Sequence, residues 1–280
     1  MRHVFMVVGE ESGDQLGARL MVALKEQLDA EVRFSGVGGE RMAREGLTSI
    51  FPLTDISVGG ITAVLARLPT IVKRIRQTKR AALAARPDVI VAIDSPEFTH
   101  NVAKRVRKAD PSIPIVDYVS PSVWAWRPGR ARKMAAYVDH LLAILPFEPE
   151  VHRRLAGPPC SYVGHPLSDR LDVLRPAPGE RAELGAAGVR PTLLVLPGSR
   201  HGEVTRLMGP IGETLRLLVA KGLDFELLLP AVSHLRAEIE ARAADWPVEP
   251  TIVAGEEAKF AAFRKAHAAL AASGTVTLEL

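Results

Sequence analysis

An apolar run from His3 to Val8 passes into a turn with three glycines, Gly9-Glu-Glu-Ser-Gly-Asp-Gln-Leu-Gly17, and then into helical periodicity from Ala18 to Leu28. Strand, glycine-rich turn and helix in that order open a doubly wound α/β unit, in which ligands sit beyond the carboxyl ends of the strands. The spacing is not G-x-G-x-x-G, so it does not point to a dinucleotide. The glycines still permit close backbone approach at a helix N-terminus. Ser12 and Asp14 in this turn read equally well as ligand contacts or as plain helix caps.

The alternation continues. Val32 to Gly36 reads as a strand entering a second glycine turn, with a short helix from Arg41 to Glu45. Further strands are predicted at Asp88–Ile93, Ile113–Val119, His140–Leu145 and Cys160–Gly164. Pro176, Pro178, Gly179, Gly185, Gly188 and Pro191 then punctuate the chain before the pattern restarts. Thr192–Leu196, Phe225–Leu229, Thr251–Val253 and Ala268–Ala272 read as strands of a second domain. The expected fold is α/β: two Rossmann-like doubly wound domains facing across a cleft, 1–167 and 191–280, joined by a linker at 168–190. The chain stops at Leu280 within an apolar run that reads as the start of a helix. The second domain is therefore expected to be incomplete, with an exposed sheet edge.

Composition narrows the function classes. At 47% apolar and 24% charged the chain has an ordinary globular balance. A net charge of +4 favours anionic partners. The single cysteine, Cys160, rules out a disulfide framework. No Asp-x-Asp and no histidine pair at ligand spacing occurs, so no catalytic metal is expected. The first apolar run breaks at Gly9, too soon for a signal peptide. No apolar run approaches the ~18 residues of a spanning helix. Nothing in the pattern sets an oligomeric state.

Four stretches carry candidate chemistry. Tyr118–Lys133, YVSPSVWAWRPGRARK, follows a strand and sets Trp124 and Trp126 beside Arg127, Arg130, Arg132 and Lys133. Rigid aromatic bodies next to guanidiniums suit a ligand that is part apolar and part phosphate; the alternative is a tryptophan pair plugging the core. Residues 56–87 contain no acid and carry Arg67, Lys73, Arg74 and Arg76, with Ile71, Val72, Ile75, Ala82 and Leu83 at helical spacing. A basic amphipathic helix is the signature of a membrane-surface patch; the alternative is an ordinary solvated face. The positive charge is interleaved with apolar rather than stacking residues, which argues against nucleic acid. Asp94 and Glu97 sit in a polar cluster at a strand's carboxyl end, where one is placed to act as a general base; a helix cap is the alternative for Asp94. In the second half, Ser199, Arg200 and the N–H groups of the turn Pro197–Glu203 are candidates for a diphosphate.

The motifs GEESGDQLGA, GVGGERM, AIDSPEF, YVSPSVWAWRPGR, LPFE, VGHPL, LPGSRHGEV and SGTVTLE stand in the order found in lipid-A-disaccharide synthases, and the chain resembles that family over essentially its whole length. The resemblance implies a GT-B glycosyltransferase that joins UDP-2,3-diacylglucosamine to 2,3-diacylglucosamine 1-phosphate (lipid X). The products would be the β-1,6-linked disaccharide of lipid A and UDP. It implies no metal or other cofactor, and a peripheral position on the cytoplasmic face of the inner membrane. Asp94 matches the family's essential aspartate and would be the base. Ser12, Gly13, Asp14, Glu97, Ser120, Ser122, Trp124, Trp126 and Arg127 would bind the acceptor. Gly198, Ser199, Arg200, Glu203, Ser273, Gly274, Thr275 and Glu279 would bind UDP, with Glu279 the candidate for hydrogen bonding the ribose hydroxyls. The membrane patch would comprise Arg67, Ile71, Val72, Lys73, Arg74, Ile75 and Arg76. Members of the family continue past the last motif, so the 280-residue form is expected to fold its first domain without catalysing. Competing readings are another GT-B enzyme, such as UDP-N-acetylglucosamine 2-epimerase, and an inactive nucleotide- or lipid-binding fragment.

Overall fold

The computed structural model describes the chain except residues 29–30, 58–60, 273 and 278; for residues 61–66, 274 and 275 it describes the backbone alone. The chain divides into two units, Met1–Pro166 and Leu167–Leu280.

The first unit alternates strand and helix. It begins with β1 (Arg2–Val8), α1 (Glu11–Gln27), β2 (Val32–Val37) and α2 (Glu40–Arg44). Next come α3 (Ile61–Ala85), β3 (Val89–Ile93), α4 (Thr99–Ala109) and β4 (Ile115–Tyr118). It closes with α5 (Gly129–Met134), β5 (His140–Ala143), α6 (Glu148–Arg154) and β6 (Cys160–Tyr162). The six strands form one parallel sheet in the order β2-β1-β3-β4-β5-β6. Val7 of β1 lies opposite Val37 of β2 and Ala92 of β3.

The strands read as nearly unbroken apolar runs because helices cover both faces of the sheet. Phe5, Val7, Ile90, Ile115 and Leu141 point to one side, where they meet Ile75, Ala82, Val102 and Val106. Val4, Met6, Val8, Val91 and Ile93 point to the other, against Met21 and Met42. Gly17 lets α1 lie close to that second layer: a Cβ there would come within 2.6 Å of the Met42 sulfur.

The second unit contains α7 (Leu171–Leu174), β7 (Thr192–Leu196), α8 (His201–Ala220), β8 (Glu226–Ala231) and α9 (Arg236–Ala243). β9 (Thr251–Ala254), α10 (Glu256–Lys265), β10 (Ala268–Ala271) and α11 (Gly274–Thr277) follow. Its parallel sheet has the order β10-β7-β8-β9. Leu193, Val195, Leu227 and Leu229 pack under Val204, Met208 and Leu215; Leu194 and Leu196 pack against Phe260 and Phe263. β10 is an edge strand, and its Ala268, Ala269 and Ala271 are exposed.

The segment 168–190 is not a free linker. Arg170 pairs with Glu256 at 2.8 Å, Arg264 with Glu180 at 2.6 Å, and His267 Nε2 donates to the Ala182 carbonyl at 2.8 Å. Leu174 packs against the Phe260 cluster. Proline and glycine there mark irregular backbone, while the charged residues between them fasten it to α10.

Candidate active site

In the first sheet the strand order reverses between β1 and β3, the topological switch point where open α/β sheets bind ligands. Gly9 leaves β1 and Asp94 leaves β3 at this point. A Cβ on Gly9 would overlap the Ser95 Cβ, so the two turns touch only because residue 9 is glycine. Asp94 and Ser95 have φ of 54° and 43°. Two successive left-handed non-glycine residues are strained by about 1–3 kcal/mol each and persist only where the surroundings over-determine them. Here they are. The Asp94 N–H donates to the Tyr118 carbonyl at 3.0 Å, and the Thr99 hydroxyl donates to the Asp94 carbonyl at 2.7 Å. The carboxylate is then oriented by two donors, the Ser95 N–H on Oδ1 at 2.7 Å and the Ser12 hydroxyl on Oδ2 at 2.9 Å. The Ser12–Asp94 bond crosses the switch point from α1 to the β3 turn. Asp94 is not a helix cap: the residue preceding α4 is Phe98, and no side chain caps that helix.

Two neighbours of Ser12 serve the fold instead. Gly13 packs α1 onto the sheet, since a Cβ there would lie 3.1 Å from both the Ile93 carbonyl and Val8. Asp14, expected among the acceptor contacts, is 3% exposed. Its carboxylate accepts the N–H groups of Gly39 (2.7 Å), Arg41 (2.9 Å) and Met42 (3.1 Å). It caps α2 from another helix, which satisfies the free donors at a helix N-terminus.

The loop after β4 presents its tryptophans outward. Trp124 is 49% and Trp126 64% exposed, so the core-plug reading fails for both. Val123, just before them, is the plug, packed with Ala131 and Val151. Trp124 stands edge-on to Phe147 with centroids 5.4 Å apart, and the Arg127 guanidinium lies 5.0 Å from the Trp126 ring centre. Arg127 itself has φ 52°. Ser122 is exposed, and its carbonyl accepts the Trp126 N–H at 2.8 Å. Ser120, expected to meet the acceptor, turns inward: it is 7% exposed and its Oγ lies 2.8 Å from His152 Nε2.

Two further residues anchor this loop: Glu148, which ends the LPFE motif but was given no role, and His152, which no motif contained. Glu148, 2% exposed, accepts the Leu145 N–H at 3.0 Å. Burial pushes its carboxyl pKa up, partly offset by hydrogen bonds that include the Trp124 and Ser120 side chains. His152 is fully buried, and burial lowers its pKa. For His152 the signal was helical spacing, since it lies one turn after Glu148 on α6. Glu97 is 81% exposed and pairs with Arg130 at 2.7 Å.

In the second unit the order reverses between β7 and β10, and the turn after β7 carries Gly198 at φ 114°. Two of its N–H groups are already engaged. The Ser199 and Arg200 N–H groups both donate to Glu203 Oε2, at 3.0 and 3.3 Å. Glu203 therefore caps α8 and holds the two donors that the sequence offers to a diphosphate. The Arg200 side chain is 65% exposed, 3.7 Å from Glu203. Glu279, expected at a ribose, pairs with Lys259 at 2.7 Å. Ser273 lies outside the described residues, as does the side chain of Thr275.

The expected membrane patch splits. Ile75 is 4% exposed in the core of the first unit, and Ile71 is partly buried against it. The helical stripe that includes them is the core-facing side of α3, which corrects their assignment. Arg74 is tied down as well: its Nε donates to Asp55 Oδ2 at 2.8 Å and its guanidinium lies 4.8 Å from the Phe51 ring centre. Arg67, Lys73 and Arg76 remain exposed, beside an exposed Leu68 and a half-buried Val72. Among the described residues no helix is long and apolar enough to cross a membrane. None of their His, Cys, Asp and Glu side chains form a group of three that could hold a metal.

Two parallel α/β units, a six-stranded and a four-stranded sheet each reversing at a glycine-bearing turn, define the GT-B class of fold. The chain is similar to the UDP-GlcNAc 2-epimerase from Neisseria meningitidis bound to UDP-GlcNAc (TM-score 0.63, 12% identity, 98% of this chain and 78% of that one). It is also similar to the S. aureus MnaA–UDP structure (TM-score 0.65, 14% identity, 99% and 75%). At such identities the likeness is one of fold alone. The sequence is more specific: the family described as LpxB, Lipid-A-disaccharide synthetase, matches residues 4–280. The lipid-A-disaccharide synthase of Rhodopseudomonas palustris (strain BisB18) is 60% identical over 280 residues, covering 100% of this chain and 70% of that protein. That of Bradyrhizobium diazoefficiens is 56% identical over 279 residues, covering 100% and 71%. The chain belongs to the lipid-A-disaccharide synthase family, glycosyltransferases of lipid A biosynthesis.

Proposed function

We propose that the chain transfers the glycosyl group of UDP-2,3-diacylglucosamine to the 6-hydroxyl of 2,3-diacylglucosamine 1-phosphate, with Asp94 as the base. The observation that carries this is the orientation of Asp94 at the switch point, on a strained turn, by Ser12 and the Ser95 N–H. The sugar oxygen attacks the donor's anomeric carbon as its proton passes to the Asp94 carboxylate. The bond from that carbon to the diphosphate oxygen breaks, and UDP leaves with the electron pair. A fixed base on a rigid turn is worth more than a mobile one, because the reacting atoms are held close without further ordering. The Ser12 hydroxyl supports the carboxylate and can re-orient as the proton arrives. In the second unit, Arg200 is the cation placed to meet charge developing on the diphosphate. The exposed side of α3, with Arg67, Lys73 and Arg76 beside Leu68, would hold the protein on the anionic inner face of the inner membrane, where the lipid substrates reside.

The test is UDP release and disaccharide formation with both lipids, each alone, and UDP-N-acetylglucosamine in place of the donor. It is run on the 280-residue chain and on a form carrying the remaining length of its relatives. Disaccharide that requires both lipids supports the reaction; conversion of UDP-N-acetylglucosamine to its 2-epimer, or ligand binding without UDP release from either length, contradicts it.

A further inference from the structure

A cavity of about 350 Å³ opens between α4 and the start of α5, immediately beyond the Asp94 turn. Lys104 reaches it from α4, and Arg127, Arg130 and Lys133 reach it from the far side. Glu97 is the one carboxylate in its lining, so four cations face one anion, a formal excess of three charges. Arg130 takes Glu97, at 2.7 Å. Lys104, Arg127 and Lys133 form no ion pair with any described residue; Lys104 instead rests 5.0 Å above the Tyr137 ring and Arg127 against Trp126. Like charges gathered in one concavity repel. Burial together with the Arg130 charge lowers the Lys104 pKa. An anion entering the pocket would relieve that repulsion.

The floor is pre-organised. His100 and Tyr137 line it and are 3% and 5% exposed. The Tyr137 hydroxyl lies 3.1 Å from His100 Nδ1, and His100 Nε2 lies 3.0 Å from Asp117 Oδ2. The fully buried Asp117 keeps its other oxygen without a partner among the described residues. This chain fixes the two rings beneath Lys104 and leaves the walls to respond to a ligand.

We propose that the pocket of Lys104, Arg127, Arg130 and Lys133 binds a phosphate monoester, the 1-phosphate of the sugar acceptor. The assignment to the acceptor rests on the reaction proposed above; the preference for a phosphate monoester does not. A phosphate monoester carries about 1.5 to 2 negative charges and three acceptor oxygens, matching the excess and the donors. Its place also fits. Pro96 lines the pocket two residues after Asp94, a span of at most about 7 Å of chain. A hexose carries its 6-hydroxymethyl group and its 1-phosphate on the two carbons that flank the ring oxygen, so a sugar with its 6-hydroxyl at Asp94 would bring its 1-phosphate within reach of the cations.

The experiment measures equilibrium binding of 2,3-diacylglucosamine 1-phosphate, the same lipid without phosphate, and UDP, to the 280-residue chain and to Lys104→Gln/Lys133→Gln. Each lost charge-assisted contact costs roughly tenfold or more in affinity. The double variant should bind the phosphorylated lipid about 100-fold more weakly while its affinities for the other two change less than threefold. Lys104→Arg/Lys133→Arg should restore the preference, and Lys108→Gln, exposed on the same helix, should keep it. Inorganic phosphate should compete with the phosphorylated lipid on the wild-type chain. Equal weakening for both lipids, weakening for UDP instead, or loss only of binding to phosphatidylglycerol vesicles would overturn the proposal. So would a wild-type chain that does not distinguish the two lipids. Binding needs no turnover, so a chain that keeps the phosphate preference but transfers nothing sinks the reaction and leaves the pocket standing. Unchanged KM for the acceptor in an active double variant sinks the pocket alone.

Discussion

Replacing Asp14 separates folding from ligand contact within one glycine-rich turn. In Asp14→Ala the N–H groups of Gly39, Arg41 and Met42 lose their acceptor. Gly39 is half-buried and Arg41 exposed, so water can reach those donors. Met42 is fully buried and its N–H is stranded. Losing a cap is worth about 1 kcal/mol, and an unsatisfied buried donor adds about 1–3 kcal/mol. The expected loss is therefore about 2–4 kcal/mol, a large share of the 5–15 kcal/mol typical of a domain. For a unit of this size that lowers its melting point by about 5–15 °C. Asp14→Asn keeps one acceptor oxygen but turns an amide against an N–H, and should fall between. The assay is thermal unfolding followed by tryptophan fluorescence, with Trp124 and Trp126 reporting the first unit and Trp246 the second. An early transition of the first unit is expected, with acceptor KM little changed below it. An unshifted transition together with a tenfold or greater rise in KM would refute the capping account and return Asp14 to the ligand.

Gly9→Ala should push the Ser95 turn away from β1, displacing Asp94; turnover is expected to fall about 100-fold, as ~1 Å misplacements do, with UDP binding retained, and activity within threefold of wild type would contradict it. Burial lowers the pKa of His3, His152 and His165, so the unfolded chain takes up protons first as pH falls below about 6.5 and stability drops until the folded values are passed. The raised carboxyl pKa values of Asp117 and Glu148 act with the opposite sign, relieving a penalty as pH falls toward their unfolded values near 4. Urea midpoints should accordingly decline between pH 7.5 and 5.5, and His152→Gln should flatten that decline; an unchanged slope would remove His152 from it. Reversal of Lys73 and Arg76 to Glu should release the protein from anionic vesicles, as should high salt, whereas Arg74→Ala should lower stability by about 1–2 kcal/mol through its Asp55 and Phe51 contacts. Vesicle binding indifferent to both charge and salt would leave α3 with a merely solvated face.

The fold was legible because both faces of each sheet are covered, which forces whole apolar runs such as Phe5–Val8 and Leu193–Leu196 onto the strands. The position of Asp94 at the switch point was legible because it directly follows the apolar run of a strand. The site was less so where one side chain suits two partners. Asp14 and Glu203 sit in ligand-type turns, yet they cap helices, because the N–H donors they accept from are 25 residues away in one case and four in the other, a distinction that pattern does not carry. The α3 stripe misled for a related reason: helical spacing marks a buried face without saying whether protein or lipid covers it, and Ile75 faces protein. Lys133 was read with the Trp–Arg stretch that suits a part-phosphate ligand, and Lys104 was not; only the β3–β4 pairing brings the two to one cavity.

The central claim, that Asp94 takes the acceptor's proton, is tested most directly by the turnover of Asp94→Asn measured beside its affinity for UDP. The substitution keeps the side chain's shape and an acceptor for Ser12 while removing the base. Turnover should fall about 10²–10⁴-fold, the usual range for losing a general base, with UDP affinity within threefold of wild type. Turnover near the wild-type rate in a folded Asp94→Asn protein would contradict the account.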